Sequence, residues 1–430
     1  MSRQRSELHF TVDSGWMNDP HGINFDGEKY HLYYQYVAGT TKWESHISWG
    51  HAISTDLITW KELSTAIDPT ADEVGCWSGS VVTDGERRVM FYTRPLSTEW
   101  GHGQVISAIA DAQQEVWSRT SDAPLIDGPA DSTHFDFRDP QVRRDGDVWK
   151  MTIGGGIREV GGAAFQYSSQ DLVQWNFDGV IAHGDKDSLS PLYTGTVWEC
   201  PQLLQVDERW VLLISAMDNK GLAQELYAIG EYDGVNFTPQ HWGFFGHTST
   251  MYATTTFTDR DGRPCAMSWL RESNNETPEG SSYAGAQGIV AVMEVIDNRL
   301  VLTPHPNFDS YLDDRVDVSS PLTVDNVGPK WRIAIDLVAE SAFQMIVAGE
   351  TSWTLTIDRA NDVLVVSAKD EVLLQMPFGA EPGVLDCIVD ADLLEVFWSA
   401  GEGSAAVHVP ASAEATVTAF GSDFAGRLAR

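Results

Sequence analysis

Three short segments, far apart in the chain, each set a carboxylate among residues that rarely flank a solvated surface acid. They are W-M-N-D-P-H-G (Trp16–Gly22), F-R-D-P (Phe137–Pro140) and W-E-C-P (Trp198–Pro201). The carboxylates are Asp19, Asp139 and Glu199. Two carboxylates converging on a sugar can break a glycosidic bond, one attacking carbon while the other protonates the leaving oxygen. A third can hold the ring. Pro20 removes a backbone donor and biases Asp19 towards an extended conformation, which suits a strand-end carboxylate aimed at a cavity. Glu199 has apolar flanks, and burial raises a carboxyl pKa as a general acid requires. Arg138 stands beside Asp139, and a neighbouring cation favours the ionised acid. Each segment also has a bland reading: an Asp-Pro turn, a hydrogen-bonded core Glu, an adjacent salt bridge.

The three segments, in this order, resemble glycoside hydrolase family 32, which contains invertases, levanases and inulinases. Y-Y-Q-Y (Tyr33–Tyr36), W-G-H-A (Trp49–Ala52), W-S-G-S (Trp77–Ser80) and, more loosely, Y-A-T-T-T-F (Tyr252–Phe257) also fall in family order. The likeness covers about the first 270 residues of the sequence. It implies that Asp19 is the nucleophile attacking the anomeric C2 of fructose, Glu199 the acid/base, and Asp139 the residue that holds ring hydroxyls in the transition state. It also implies that Asn18, Gln35, Trp43, Trp77, Ser78 and Arg138 line a fructose pocket. Trp49 and His51 read as scaffold, and Trp269 as a candidate wall residue. Some positions depart from the family pattern. His21 stands where many members have Asn, no acidic residue precedes Tyr252-Ala253, and Val292-Met293-Glu294 replaces the usual P-R-E. These bear on the leaving-group side.

The implied function is a retaining glycoside hydrolase that releases terminal β-D-fructofuranosyl residues from sucrose or short fructo-oligosaccharides. Alternatives are a fructosyltransferase on the same scaffold, an inverting arabinosidase or xylosidase on a similar one, and a catalytically silent sugar-binding protein. A small carbohydrate is the expected partner. No metal or cofactor is expected, because acetal cleavage by paired acids needs no Lewis acid and the sequence shows no ligand spacing. A net charge of -34 excludes nucleic acid and anionic membrane surfaces as expected partners. Cys76, Cys200, Cys265 and Cys387 lack C-x-x-C spacing, so neither a zinc site nor a disulfide framework is expected. Cys76 and Cys200 each adjoin a site motif. M-S-R-Q-R-S-E-L-H-F has no signal-like apolar run, and the chain reads as cytoplasmic, with a secreted form lacking its leader as the alternative.

The elements that must position these acids are β-strands. Aromatic and β-branched runs (Tyr30–Tyr36, Val89–Tyr92, Trp149–Ile153, Trp210–Ser215, Ala266–Leu270) are separated by Asp-Gly turns at Asp26, Asp84, Asp145, Asp233 and Asp261. S-T-D-L-I-T-W (Ser54–Trp60) recurs as S-Q-D-L-V-Q-W (Ser169–Trp175), with degenerate copies near Ala108–Trp117 and Gly230–Phe237. The interval fits two propeller blades of roughly 40–50 residues each plus loops. The family resemblance sets the number of blades at five. The expected fold class is all-β: a five-bladed β-propeller over residues 1–302, a linker at 303–315 with a short helix over Phe308–Arg315, and a C-terminal β-sandwich over 316–430. Alternating runs at Trp331–Val338, Trp353–Ile357, Val363–Ala368 and Leu393–Trp398 carry the sandwich reading.

Overall fold

A computed structural model describes residues 3–97, 101–128, 133–189, 192–221, 223–273, 276–311, 315–339, 341–421 and 424–430. The chain is nearly all β. One α-helix lies among the described residues, Asn307–Tyr311; it takes in the start of the expected helix, of which residues 312–314 lie outside the description. The Asp-Gly pairs form hairpin turns as expected, with Gly27 and Gly85 at φ 110° and 62°, where a side chain would be strained.

Among the described residues, 15–304 build five mainly antiparallel sheets. Their first strands are Gly15–Phe25, Trp77–Asp84, His134–Asp145, Val197–Val206 and Met251–Thr258. Each first strand touches the next, and the fifth touches the first, so the five close a ring. A late strand, Tyr283–Ala284, pairs in parallel with Gly15–Trp16 and ties the end of this region to its beginning.

The internal repeat is a structural one. Ser54–Trp60 and Ser169–Trp175 both join the third strand of a sheet to the fourth. In each, the serine hydroxyl accepts the Leu57 or Leu172 amide and the aspartate caps the next two amides. Leu57 and Leu172 share a left-handed φ, 67° and 66°. The degenerate copies occupy the same loop of two further sheets, where Asp111 and Asp233 accept the local amides.

The described residues after the helix form two six-stranded sheets. Trp331, Trp353 and Trp398 lie in the apolar layer between them. Leu393–Trp398 does not alternate, because all six of its residues are buried. One face meets that layer, and the other packs Leu393 and Phe397 against Phe245, Leu302 and Phe308. Covering both faces is what turns an alternating strand into a continuously buried one. A buried ionic cluster crosses the same boundary. His9 Nδ1 lies 3.0 Å from Asp390 and Nε2 lies 2.9 Å from Glu395. Asp390 also accepts the amides of Glu7, Leu8 and His9, and Glu395 that of Ile289.

Candidate active site

At one level of the ring, each of the five first strands carries a bulge. The irregularities fall between Met17 and Pro20, Trp77 and Gly79, Glu199 and Gln202, and Tyr252 and Thr255. In the third sheet the bulge falls between Arg138 and Gln141, where Asp139 and Pro140 stand opposite the single residue Ile153 of the partner strand. A bulge re-aims the side chains around it. Asp139, Cys200 and Ala253 take φ of 63°, 46° and 52°. Pro20, Pro140 and Pro201 sit where the ladder is already interrupted, so their missing N–H groups cost nothing there. Asp19 is therefore a mid-strand residue turned inward by a bulge, where the sequence placed it at a strand end.

Asp19, Asp139 and Glu199 line one cavity of about 1080 Å³. Asn18, Gln35, Trp43, Trp77 and Arg138 line it too. Ser78 does not: it is 2% exposed and lies beneath Asp19. Its hydroxyl donates to Asp19 Oδ2 at 2.6 Å. Asn18 Nδ2 donates to Asp19 Oδ1 at 3.0 Å and to Gln35 Oε1 at 2.7 Å. Gln35 Nε2 donates to Ser78 Oγ at 2.5 Å and to Asp19 Oδ2 at 3.3 Å. Asn18 is itself fixed, its Oδ1 by Trp16 Nε1 and its backbone carbonyl by Gln287 Nε2. Burial pushes the Asp19 carboxyl up to about 6; the Ser78 and Asn18 hydrogen bonds oppose that, and the charge of Glu199 adds to it.

The surroundings of Glu199 and Asp139 differ from expectation. Glu199 is not in an apolar pocket. Trp198 turns into the core between the third and fourth sheets and donates to Thr194, while Glu199 receives Arg138 Nη1 at 3.1 Å and the Tyr252 hydroxyl at 2.6 Å. Successive strand residues face opposite ways, so apolar neighbours in sequence need not be neighbours in space. The Arg138 guanidinium bonds to Asp136 and Glu199. Burial raises Asp139 to about 7, opposed by the charge of Arg138 and reinforced by Glu199 and Asp19. The nearby cation therefore does not hold Asp139 down. Asp139 Oδ2 accepts the Cys200 amide at 2.9 Å, and the Asp139 amide donates to Thr93.

Sequence reasoning gave Cys200 and Tyr252 no role, although both sit inside quoted motifs. Cys200 Sγ lies 3.8 Å from Asp19 Oδ2 and 3.6 Å from Asp139 Oδ2. Burial, then the surrounding acids, push that thiol well up, so it remains a neutral S–H between two carboxylates. Tyr252 is likewise held as the phenol by burial beside Glu199. All four cysteines are free and buried, Cys76 and Cys200 included. Trp49 and His51 are fully buried scaffold, Trp49 Nε1 donating to the Trp77 carbonyl. Trp269 lines the cavity wall, edge-on to Trp16 at 5.7 Å. The outer wall adds Lys42, Arg271 and residues 276–281, none of which a motif marks.

Away from the cavity, Asp259, Cys265 and His305 come together as possible metal ligands that their spacing in sequence does not reveal. The oxygens of Asp259 are already taken: Oδ2 meets Arg263 and His305, and Oδ1 accepts the amides of Asp261 and Arg263. A guanidinium on the carboxylate fits a structural ion pair better than a cation site.

Residues 9–304 match the family model described as the glycosyl hydrolases family 32 N-terminal domain. The sucrose-6-phosphate hydrolase of Zymomonas mobilis is 29% identical over 407 residues, spanning 84% of this chain and 76% of that protein. A fructan 6-exohydrolase of Triticum aestivum is 31% identical over 338 residues, spanning 66% of this chain and 54% of that protein. Among solved structures, a β-fructofuranosidase of the same family from Bombyx mori superposes with a TM-score of 0.87 at 25% identity, over 99% of this chain and 93% of that one. The match over residues 9–304 takes in all three acidic motifs and every sheet of the ring, and on that ground the chain belongs to glycosyl hydrolase family 32.

Proposed function

We propose that the chain is a retaining β-fructofuranosidase that releases terminal fructosyl residues from sucrose or short fructo-oligosaccharides. The observation that carries this reading is the convergence of three differently wired carboxylates on one cavity. The ring of five sheets is read as a five-bladed β-propeller over residues 1–302, joined by 303–315 to a β-sandwich over 316–430.

Asp19 is the nucleophile. Three side-chain donors orient its two oxygens, and the ionised form attacks C2 while the C2–O bond to the leaving group breaks. Glu199 gives its proton to the leaving oxygen, then takes one from the water that releases fructose and regenerates Asp19. Tyr252 and Arg138 fix the orientation of Glu199 through one hydrogen bond to each oxygen. Asp139 binds ring hydroxyls as the transition state forms. Asn18, Gln35 and Arg138 line the fructose pocket with Trp43 and Trp77 as walls, and Ser78 acts from below on Asp19. The relatives' names span a phosphorylated sucrose and a fructan, so the leaving group is set by the outer wall and not by the acids.

Product analysis of the protein and its Glu199→Gln variant with sucrose, kestose, inulin, levan and 4-nitrophenyl arabinofuranoside tests this. Fructose release that collapses in the variant is expected. No fructose from any fructan or from sucrose would overturn the reading.

A further inference from the structure

The fourth sheet holds one more buried acid, Glu225, which the steps above do not use. Register sets Glu199 opposite Ser215 and Ser215 opposite Glu225, so the three share a row across three adjacent strands. Ser215 Oγ donates to Glu225 Oε1 at 2.6 Å. The first strand of the fifth sheet packs against this region. Its ladder breaks between Tyr252 and Thr255, which frees the amides of Ala253 and Thr254 in a dry place. Buried amides without a partner are costly, so such a bulge needs an acceptor. Those amides face the Glu225 carboxyl, with the Thr254 N–H 3.4 Å from Oε1. At the near end of the same bulge, the Tyr252 hydroxyl reaches Glu199.

We propose that Glu225 is a positioning residue: its carboxyl anchors the bulge that holds the Tyr252 hydroxyl on Glu199. It touches neither substrate nor cavity, being 1% exposed and absent from the cavity wall. Its Oε2 has no hydrogen bond among the described residues. A bare buried oxygen suits a neutral acid and not a carboxylate, and burial raises Glu225 to about 7. The anchoring oxygen is therefore Oε1, an acceptor that the side-chain amide of glutamine reproduces in the same place.

The inference rests on the reading of Glu199 as the acid, and sucrose hydrolysis separates the two. If the wild-type protein releases no fructose, the functional reading fails; if it does, the Glu225 variants decide this one. Glu225→Ala lowers kcat on the order of 10- to 100-fold, a part of the 10²–10⁴ that a positioned acid supplies, with KM nearly unchanged. Glu225→Gln restores kcat to within about twofold of wild type. Tyr252→Phe falls with Glu225→Ala, and the double variant falls no further than the worse single, because both act through one contact. Should Glu225→Ala fail to fold, Ser215→Ala takes its place in the cycle. Wild-type kcat in folded Glu225→Ala, losses that multiply in the double variant, or no rescue by glutamine would overturn the proposal.

Discussion

Ser78→Ala isolates the hydrogen bond beneath Asp19, the proposed nucleophile. Ser78 is buried, meets Asp19 Oδ2 at 2.6 Å, and does not line the cavity, so its loss acts through Asp19 and not through direct contact with sugar. A hydrogen bond to a charged group contributes about 1.5–3 kcal/mol, and one pKa unit corresponds to about 1.36 kcal/mol. Removing the donor should therefore raise the acid limb by roughly one to two units. Wild type starts from about 6, because burial has already raised Asp19. Asp139 is raised as well and adjoins Asp19 electrostatically, so the limb belongs to the pair. The Gln35 amide, freed from Ser78, can tighten its 3.3 Å bond to Asp19, which favours the lower end of the range. Below its pKa the nucleophile carries a proton and cannot attack. The variant thus loses about tenfold or more in kcat/KM near pH 5.5, and about twofold or less near pH 9. The assay is fructose release from sucrose at subsaturating concentration across that range. A uniform loss at every pH, with the limb where it was, would refute the reasoning and make Ser78 a packing residue.

Gly154→Ala tests how the third and fourth sheets approach. An added Cβ would stand 2.2 Å from the Trp198 carbonyl, so the variant should lose on the order of 1–3 kcal/mol in denaturant unfolding and lose kcat as the Glu199 strand moves; unchanged unfolding and turnover would show that the strands are not held this tightly. His9 makes stability fall with rising pH. Its acidic partners Asp390 and Glu395 raise its pKa from 6.5 to about 9 against the cost of burial, so the gain is fully present below 6.5 and is lost as pH rises through about 9. Its size is on the order of 3 kcal/mol, and denaturant unfolding at a series of pH values should show that slope in wild type and not in His9→Gln; equal slopes would sink the assignment.

The strands were legible because their hairpins are marked locally. An aromatic run followed by Asp-Gly fixes both a strand and its turn, and the repeated loop fixes the spacing of sheets. Contacts made across the ring were not legible. Arg138 bonds to Glu199, and Tyr252 closes on Glu199, through strands from three different sheets. The run Leu393–Trp398 reads as an alternating strand until a second layer covers its outer face. His9, Asp390 and Glu395 come from opposite ends of the chain, so nothing local announces their ion pairs.

Proline explains why some site residues stand out in sequence and others do not. A proline inside a strand cannot donate to the ladder, so the ladder must already be interrupted there. Asp19-Pro20, Asp139-Pro140 and Cys200-Pro201 are therefore the sequence imprint of three bulges, and those bulges carry the three acids. The other two irregularities lack that imprint. At Ser78 the mark is Gly79, whose Cβ would run into the Phe91 carbonyl. At Tyr252 the only mark is Ala253, an ordinary residue held at φ 52°. A non-glycine residue in that conformation is strained and persists only when its surroundings over-determine it. At Ala253 the surroundings include a buried acid on the neighbouring sheet, at position 225. The least legible bulge is thus the one whose anchor lies outside its own strand, and the acid it orients depends on a residue that no motif contains.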